Sequence, residues 1–229
     1  GGPGGGSRRW SAAANSAAGG FLLGAGLFHF LPESHRHFED LFPGHTFPYG
    51  FTACAVGFAA ILTVERMMFD PEAHLLEERR DGSAALILTI ALSIHALLAG
   101  LAVGSEQASL SLLAVIAAVA VHKFAAAFTL GSSLVSANFA AVRFWQIIIA
   151  FSVSTPLGIA VGGGFEHLLG PWHTTLFEGV FDGLAAGTFL YIAALDVIHQ
   201  EFFHRRATWL DMALFSAAMA VMLLLSLAA

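Results

Sequence analysis

Residues 83–136 read SAALILTIALSIHALLAGLAVG (83–104), SEQAS (105–109) and LSLLAVIAAVAVHKFAAAFTLGSSLVS (110–136). Each long run supplies the ~20 mostly apolar residues that an α-helix needs to cross ~30 Å of hydrocarbon. The short SEQAS break leaves room only for a tight connection, so the two runs are predicted to form an antiparallel membrane hairpin. Working outward, the same criterion gives further spans at 12–32, 47–69, 144–164, 176–198 and 207–229. Polar breaks at 34–40, 70–82 and 204–206 and the Gly170-Pro171 pair separate most of them. Pro156 falls inside the fifth span and lacks a backbone donor, which predicts a kink. Composition agrees: 57% of the 229 residues are hydrophobic, 11% are charged and mean hydropathy is +0.74. A soluble domain carries about 25% charged residues, so this chain cannot coat a globule with polar surface. The reading is all-α, a polytopic membrane helix bundle.

Charge sets orientation and excludes several function classes. Taking alternate loops as two sides, one receives Arg8, Arg9, Arg66, Arg79, Arg80, Arg143, Arg205 and Arg206, and the other receives Arg36 alone. Basic loops stay in the cytoplasm, so the N-terminus is placed inside and the C-terminus outside. Residues 1–229 then form one transmembrane domain in which 1–11 and 66–82 are inner loops. A net charge of −6 with a single lysine gives no nucleic-acid footprint. The single cysteine, Cys54, allows neither an intrachain disulfide nor a cysteine-based metal site. No nucleophile-and-base set suggests an enzyme, and no resident cofactor is expected. An internal repeat is also visible: GGFLLGAGLFHFLPE (19–33) aligns without gaps on GTFLYIAALDVIHQE (187–201), with six of fifteen positions identical. The two segments run in opposite directions, as an inverted-topology repeat requires, and such repeats belong to transporters.

Ionisable groups inside spans are costly, and each is a functional hypothesis. His95 lies near the middle of the third span, with His122 and Lys123 near the middle of the fourth. Neutral imidazole suits zinc and other borderline transition metals. A lone membrane histidine more often just hydrogen-bonds a neighbouring helix; two at matching depth beside a lysine favour an ion site or a titratable pair. One turn after each histidine stands alanine, Ala99 and Ala126, where a carboxylate ligand would share the face. Asp196, His199 and Glu201 gather at the inner end of the sixth span, and Asp182 sits toward its outer end. His29 and Glu33 occupy the outer end of the first span, followed by His35, His37, Glu39, Asp40 and His45. That outer cluster reads either as a solvated loop or as a mouth that gathers divalent cations.

Three segments resemble the ZIP family of metal-ion transporters, in its subgroup with short inner loops: SIHALLAGLAVG (93–104), HKF (122–124) and DGLAAGTFLY (182–191). The TPLG run at 155–158 and Glu65 fit the same pattern. The resemblance implies eight spans, so an eighth is expected upstream of Gly1. It implies a carrier of zinc, and of iron or manganese, moving cargo toward the cytosol across a plasma or organelle membrane, and working as a homodimer in a lipid bilayer. His95 and His122 match the family's metal-binding histidines, and Lys123 matches a lysine standing where a second metal would sit. The family motif reads His-Ser-x-x-Glu-Gly; here Ala96 and Ala99 replace the serine and the ligand glutamate. Thr155 and Asp196 are then candidates to complete the shell, with His199 and Glu201 lining the inner exit. ZIP-like carriers are thought to move a group of helices, here spans three to five plus the expected upstream span, against a scaffold. Two rival readings remain. One is a ZIP-derived sensor or interaction protein that no longer transports, favoured by Ala99. The other is a proton or small-cation carrier using His95, His122 and Lys123.

Overall fold

A computed structural model describes residues 5–68, 77–105, 112–203 and 207–228, with the side chains of most of them. Every regular element among these residues is helical. Helix α1 (Gly5–Gly24) passes through a π-helical turn, Ala25–Phe30, into α2 (Leu31–Leu41). There follow α3 (Tyr49–Met68), α4 (Glu77–Ser105), α5 (Leu112–Ser136), α6 (Ala141–Leu169) and α7 (Pro171–Tyr191). The chain then enters a π-helical segment, Ile192–Phe203, and ends in α8 (Trp209–Ala228). Five helical stretches are long and apolar enough to cross a membrane, and shorter apolar stretches lie in α3 and α4. Together they fall on the seven expected spans. The protein is a multi-pass integral membrane protein.

Local chemistry explains the boundaries. At the end of α5, Asn138 takes a left-handed conformation (φ 54°). The Phe139 amide donates to the Leu134 carbonyl and the Asn138 amide to Val135, which is the Schellman pattern that closes a helix. Gly170 (φ 74°) ends α6 and Pro171 opens α7, where its missing amide costs nothing. The sixth span therefore begins at Pro171, five residues before the expected 176. Thr208 caps α8 reciprocally with Asp211: its amide and hydroxyl donate to Asp211 Oδ2 at 2.8 and 2.9 Å. Pro156 lies inside the continuous α6.

The first span departs most from expectation. The polar stretch 34–40, read as a break, is helical, and the helix runs on to Leu41. Pro32 in its first turn, the Arg36–Glu33 ion pair and the His35–Glu39 contact at 4.0 Å all favour that continuation. Its buried face, Ser34 and Phe38, packs on α7, where the Ser34 hydroxyl donates to the Gly179 carbonyl at 2.6 Å. The two π-helical segments occupy matching places in the 19–33 and 187–201 alignment, since Ala25–Phe30 pairs with Ala193–Ile198.

Packing is dominated by three glycine-rich seams. The hairpin neighbours α4 and α5 touch, yet α4 packs most extensively on α6. There Gly100 and Gly104 meet Gly158 and Gly162, and a Cβ at any of the four would press on a carbonyl oxygen of the facing helix. Gly57 and Gly187 seal α3 to α7 in the same way, and Gly20 and Gly24 bring α1 onto α8. Small residues let backbones approach where lipid gives helices no hydrophobic drive to associate. The opposite face of α6 presents Val142, Trp145, Ile149, Val153 and Leu157 outward, at the spacing of a lipid-facing stripe. Gly158→Ala should therefore wedge α4 from α6 and lower the apparent Tm in detergent, by the ~1–3 kcal/mol typical of overpacking. Gly164→Ala, where the added Cβ meets nothing within 4 Å, should leave it unchanged; equal effects would remove the seam from the account.

Candidate metal centre

The hairpin delivers both central histidines to one place. His95 on α4 and His122 on α5 are buried, with ring centroids 5.9 Å apart. Around them Ala91, Ala99, Ala125 and Ala126 are buried and carry no donor atom. Phe189 of α7 stacks on His95 at 3.5 Å, and Phe30 of the first π turn stands edge-on to His95 and His122 at 5.1 and 5.2 Å. The pair thus sits where α4 and α5 meet α7 and the first π turn.

A second contact places a hydroxyl beside the His95 ring. The Thr188 hydroxyl donates to the Ala185 carbonyl at 2.7 Å, leaving its lone pairs toward His95 Nδ1 at 3.5 Å. With the ring proton on Nδ1 facing that oxygen, Nε2 is the acceptor nitrogen. Nε2 is buried with no hydrogen-bond partner. A buried unsatisfied polar atom costs on the order of 1–3 kcal/mol, and a cation supplied to that lone pair removes the cost.

Lys123 and Thr155 form a separate unit. The Lys123 ammonium donates to the Thr155 hydroxyl, which donates in turn to the Ala96 carbonyl at 3.1 Å. Lys123 also lies over the Phe151 ring, 5.0 Å from its centroid. Thr155, considered as a ligand, thus has its oxygen beside an ammonium that repels a cation. The cause is simple: Lys123 follows His122 directly, so the two side chains leave α5 in different directions.

The remaining candidates lie apart from this unit. His29, expected at the mouth, is instead buried, its ring centroid 6.3 Å from that of His122. Because α1 continues into α2, the position read as a span end is interior. His37 of α2 meets two acids of α7, 3.7 Å from Glu178 and 3.6 Å from Asp182, and lies 4.0 Å from Glu33 on its own helix. His35 is exposed. Glu178 escaped the sequence reading, although its four-residue spacing from Asp182 put both on one helix face. Phe30 also escaped it, and Thr188 and Phe189 entered only as members of the 182–191 segment, because apolar rings and a lone hydroxyl look ordinary in a membrane helix. The side chains of Asp196, His199 and Glu201 lie outside the described residues. Among the described residues, no three His, Cys, Asp or Glu side chains converge closely enough to hold a metal ion in this conformation.

The family sequence model described as ZIP Zinc transporter matches residues 71–228, more than half of the chain. The chain belongs to the ZIP zinc transporter family. Zinc transporter 7 of Arabidopsis thaliana is 28% identical across 61% of this chain and 38% of its own length. Zinc transporter ZIP1 of Homo sapiens is 33% identical across 51% of this chain and 36% of its own. Probable zinc transporter 8 of A. thaliana is 25% identical over 88% of this chain and 70% of its own. The chain thus spans well under half the length of the first two ZIP relatives.

Because Thr155 serves both Lys123 and the Ala96 carbonyl, Thr155→Val should destabilise the protein by about 2 kcal/mol. Thr155→Ser should not. Thermal unfolding in detergent checks both, and an unaltered Tm in the valine variant would contradict the anchoring role.

Proposed function

We propose that this ZIP chain carries divalent metal ions, zinc foremost and iron or manganese with it, toward the cytosol across a plasma or organelle membrane. The observation that carries the reading is the buried His95–His122 pair, 5.9 Å apart, with a bare Nε2 on His95. Imidazole nitrogen is a zinc donor, and a dry site binds only cations whose lost hydration it replaces. The family and its named zinc transporters support the same cargo.

The step has no covalent chemistry. An ion gathered near Glu33, His35 and His37 sheds water, is held by His95 and His122, and leaves past Asp196, His199 and Glu201. Movement of one helix group against the other opens each side in turn, and the glycine seam makes α4 and α6 travel as a unit. Lys123, fixed by Thr155, keeps a second cation from binding nearby. The working form is a homodimer in the bilayer. A second reading rests on Ala99, which is buried and offers no donor one turn beyond His95: a ZIP-derived sensor that binds metal without moving it.

Uptake of radioactive zinc into vesicles holding the purified chain separates the readings. His95→Ala and His122→Ala should each abolish uptake, and the double variant should be no worse than either, since a broken site cannot be broken twice. Normal uptake in either single variant overturns the ligand assignment, and zinc binding without uptake in the wild type favours the sensor. Ala99→Glu adds an anionic oxygen one turn from His95 and should tighten zinc binding about tenfold, or ~1.4 kcal/mol. Titration calorimetry reads that gain.

A further inference from the structure

One buried polar contact crosses between helices whose glycine seams bind them to different partners. Thr188 of α7 stands against His95 of α4, its Oγ1 3.5 Å from Nδ1, while the seams tie α7 to α3 and α4 to α6. A hydroxyl has one proton to give, and Thr188 gives it to the Ala185 carbonyl at 2.7 Å. Toward the imidazole it therefore offers lone pairs only. The Ala185 backbone engages the same ring, and because Nε2 has no hydrogen-bond partner, that contact also falls on Nδ1. Phe189, next along α7, stacks on the ring with centroids 3.5 Å apart. We propose that Thr188 is the positioning residue of the metal centre: it holds the His95 ring proton on Nδ1, so that the ion is taken by Nε2. The proposal rests on the metal-carrier reading above and deepens it, by naming what sets the affinity of that site.

A neutral imidazole has one N–H and one lone pair, and the partner of one nitrogen decides the role of the other. Only the nitrogen without a proton can bind a cation. Two oxygens with no proton to give face Nδ1, so they favour the tautomer in which Nδ1 donates. The opposite tautomer sets lone pair against lone pair in a buried site and puts a proton on Nε2, where no acceptor stands. A ring N–H engaged in this way also makes the ligating nitrogen more basic and fixes the ring's orientation. Nothing on α4 can take over the task, since Ala91, Ala96 and Ala99, buried around His95, carry no polar side-chain atom. The hold therefore comes from α7. On the carrier reading it lasts only while α4 lies against α7, so displacing the α4–α6 pair removes the acceptor and weakens the site.

Nitrogen-15 NMR of the full chain, labelled at histidine and reconstituted in lipid without metal, reads the tautomer. The His95 signals are those lost in His95→Gln. The expected result is a protonated Nδ1 and a bare Nε2 in the wild type and in Thr188→Ser. Thr188→Val, which keeps the volume and removes the hydroxyl, should move the proton toward Nε2. Titration with Zn2+ should then find the valine variant ~10–100-fold weaker and the serine variant unchanged. In vesicles the valine variant should show a raised KM for zinc with its maximal rate kept. A protonated Nε2 in the wild type overturns the proposal, and so does a valine variant with unchanged zinc affinity. Equal weakening in the valine and serine variants, or weakening without a change of tautomer, marks a packing role and overturns it too. All of these leave the carrier reading standing. A wild type that binds no Zn2+ overturns that reading and the proposal with it.

Discussion

Close backbone approach holds this bundle together. In hydrocarbon, apolar side chains gain little by leaving lipid for a neighbouring helix, so association depends on contact, on small residues and on polar groups that cannot stay unpaired. The Gly100–Gly104 and Gly158–Gly162 seam makes α4 and α6 one body, and Gly57 with Gly187 binds α3 to α7. The histidines are not part of these seams. They lie where the α4–α5 hairpin meets α7 and the first π turn, a contact filled by Phe30 and Phe189. Interlocked glycines set the helix spacing within the seams, and aromatic rings fill the contact between them.

The same contrast governs polar chemistry. Serine and threonine hydroxyls mostly return to carbonyls: Thr89 to Ala85, Ser152 to Ile148, Thr155 to Ala96. Lys123 is accommodated by a hydroxyl and an aromatic face. His95 Nε2 has no such provision, nor do the buried hydroxyls of Ser16, Thr129 and Ser226. A ring whose other nitrogen faces a hydroxyl keeps this nitrogen available as a donor to a ligand.

Span number, the helical hairpin and the meeting of His95 with His122 were legible because they follow from apolar run length and residue depth, which sequence carries directly. The Glu178 and Asp182 pairing with His37 was only half legible: helical spacing placed the two acids together, but nothing local said that α2 would continue far enough to meet them. His29 was misplaced for the same reason. Its depth depends on where the first helix ends, and the charged residues at 33–40, which look like a loop, form an amphipathic extension packed on α7. The π turns were illegible, since a shift of backbone register has no compositional signature. Thr155 is engaged by a lysine on another helix, a contact thirty-two residues distant in sequence that no local pattern announces.

The proposed function requires a cation bound by imidazole in the middle of the bundle. X-ray absorption at the zinc edge, on the purified chain loaded with one equivalent of Zn2+, measures that shell directly. A first shell of nitrogen and oxygen near 2.0–2.1 Å with outer-shell scattering from imidazole rings, lost in the His95→Ala, His122→Ala double variant, is the predicted result. A shell of oxygen alone, or an imidazole signal that survives the double substitution, would contradict it.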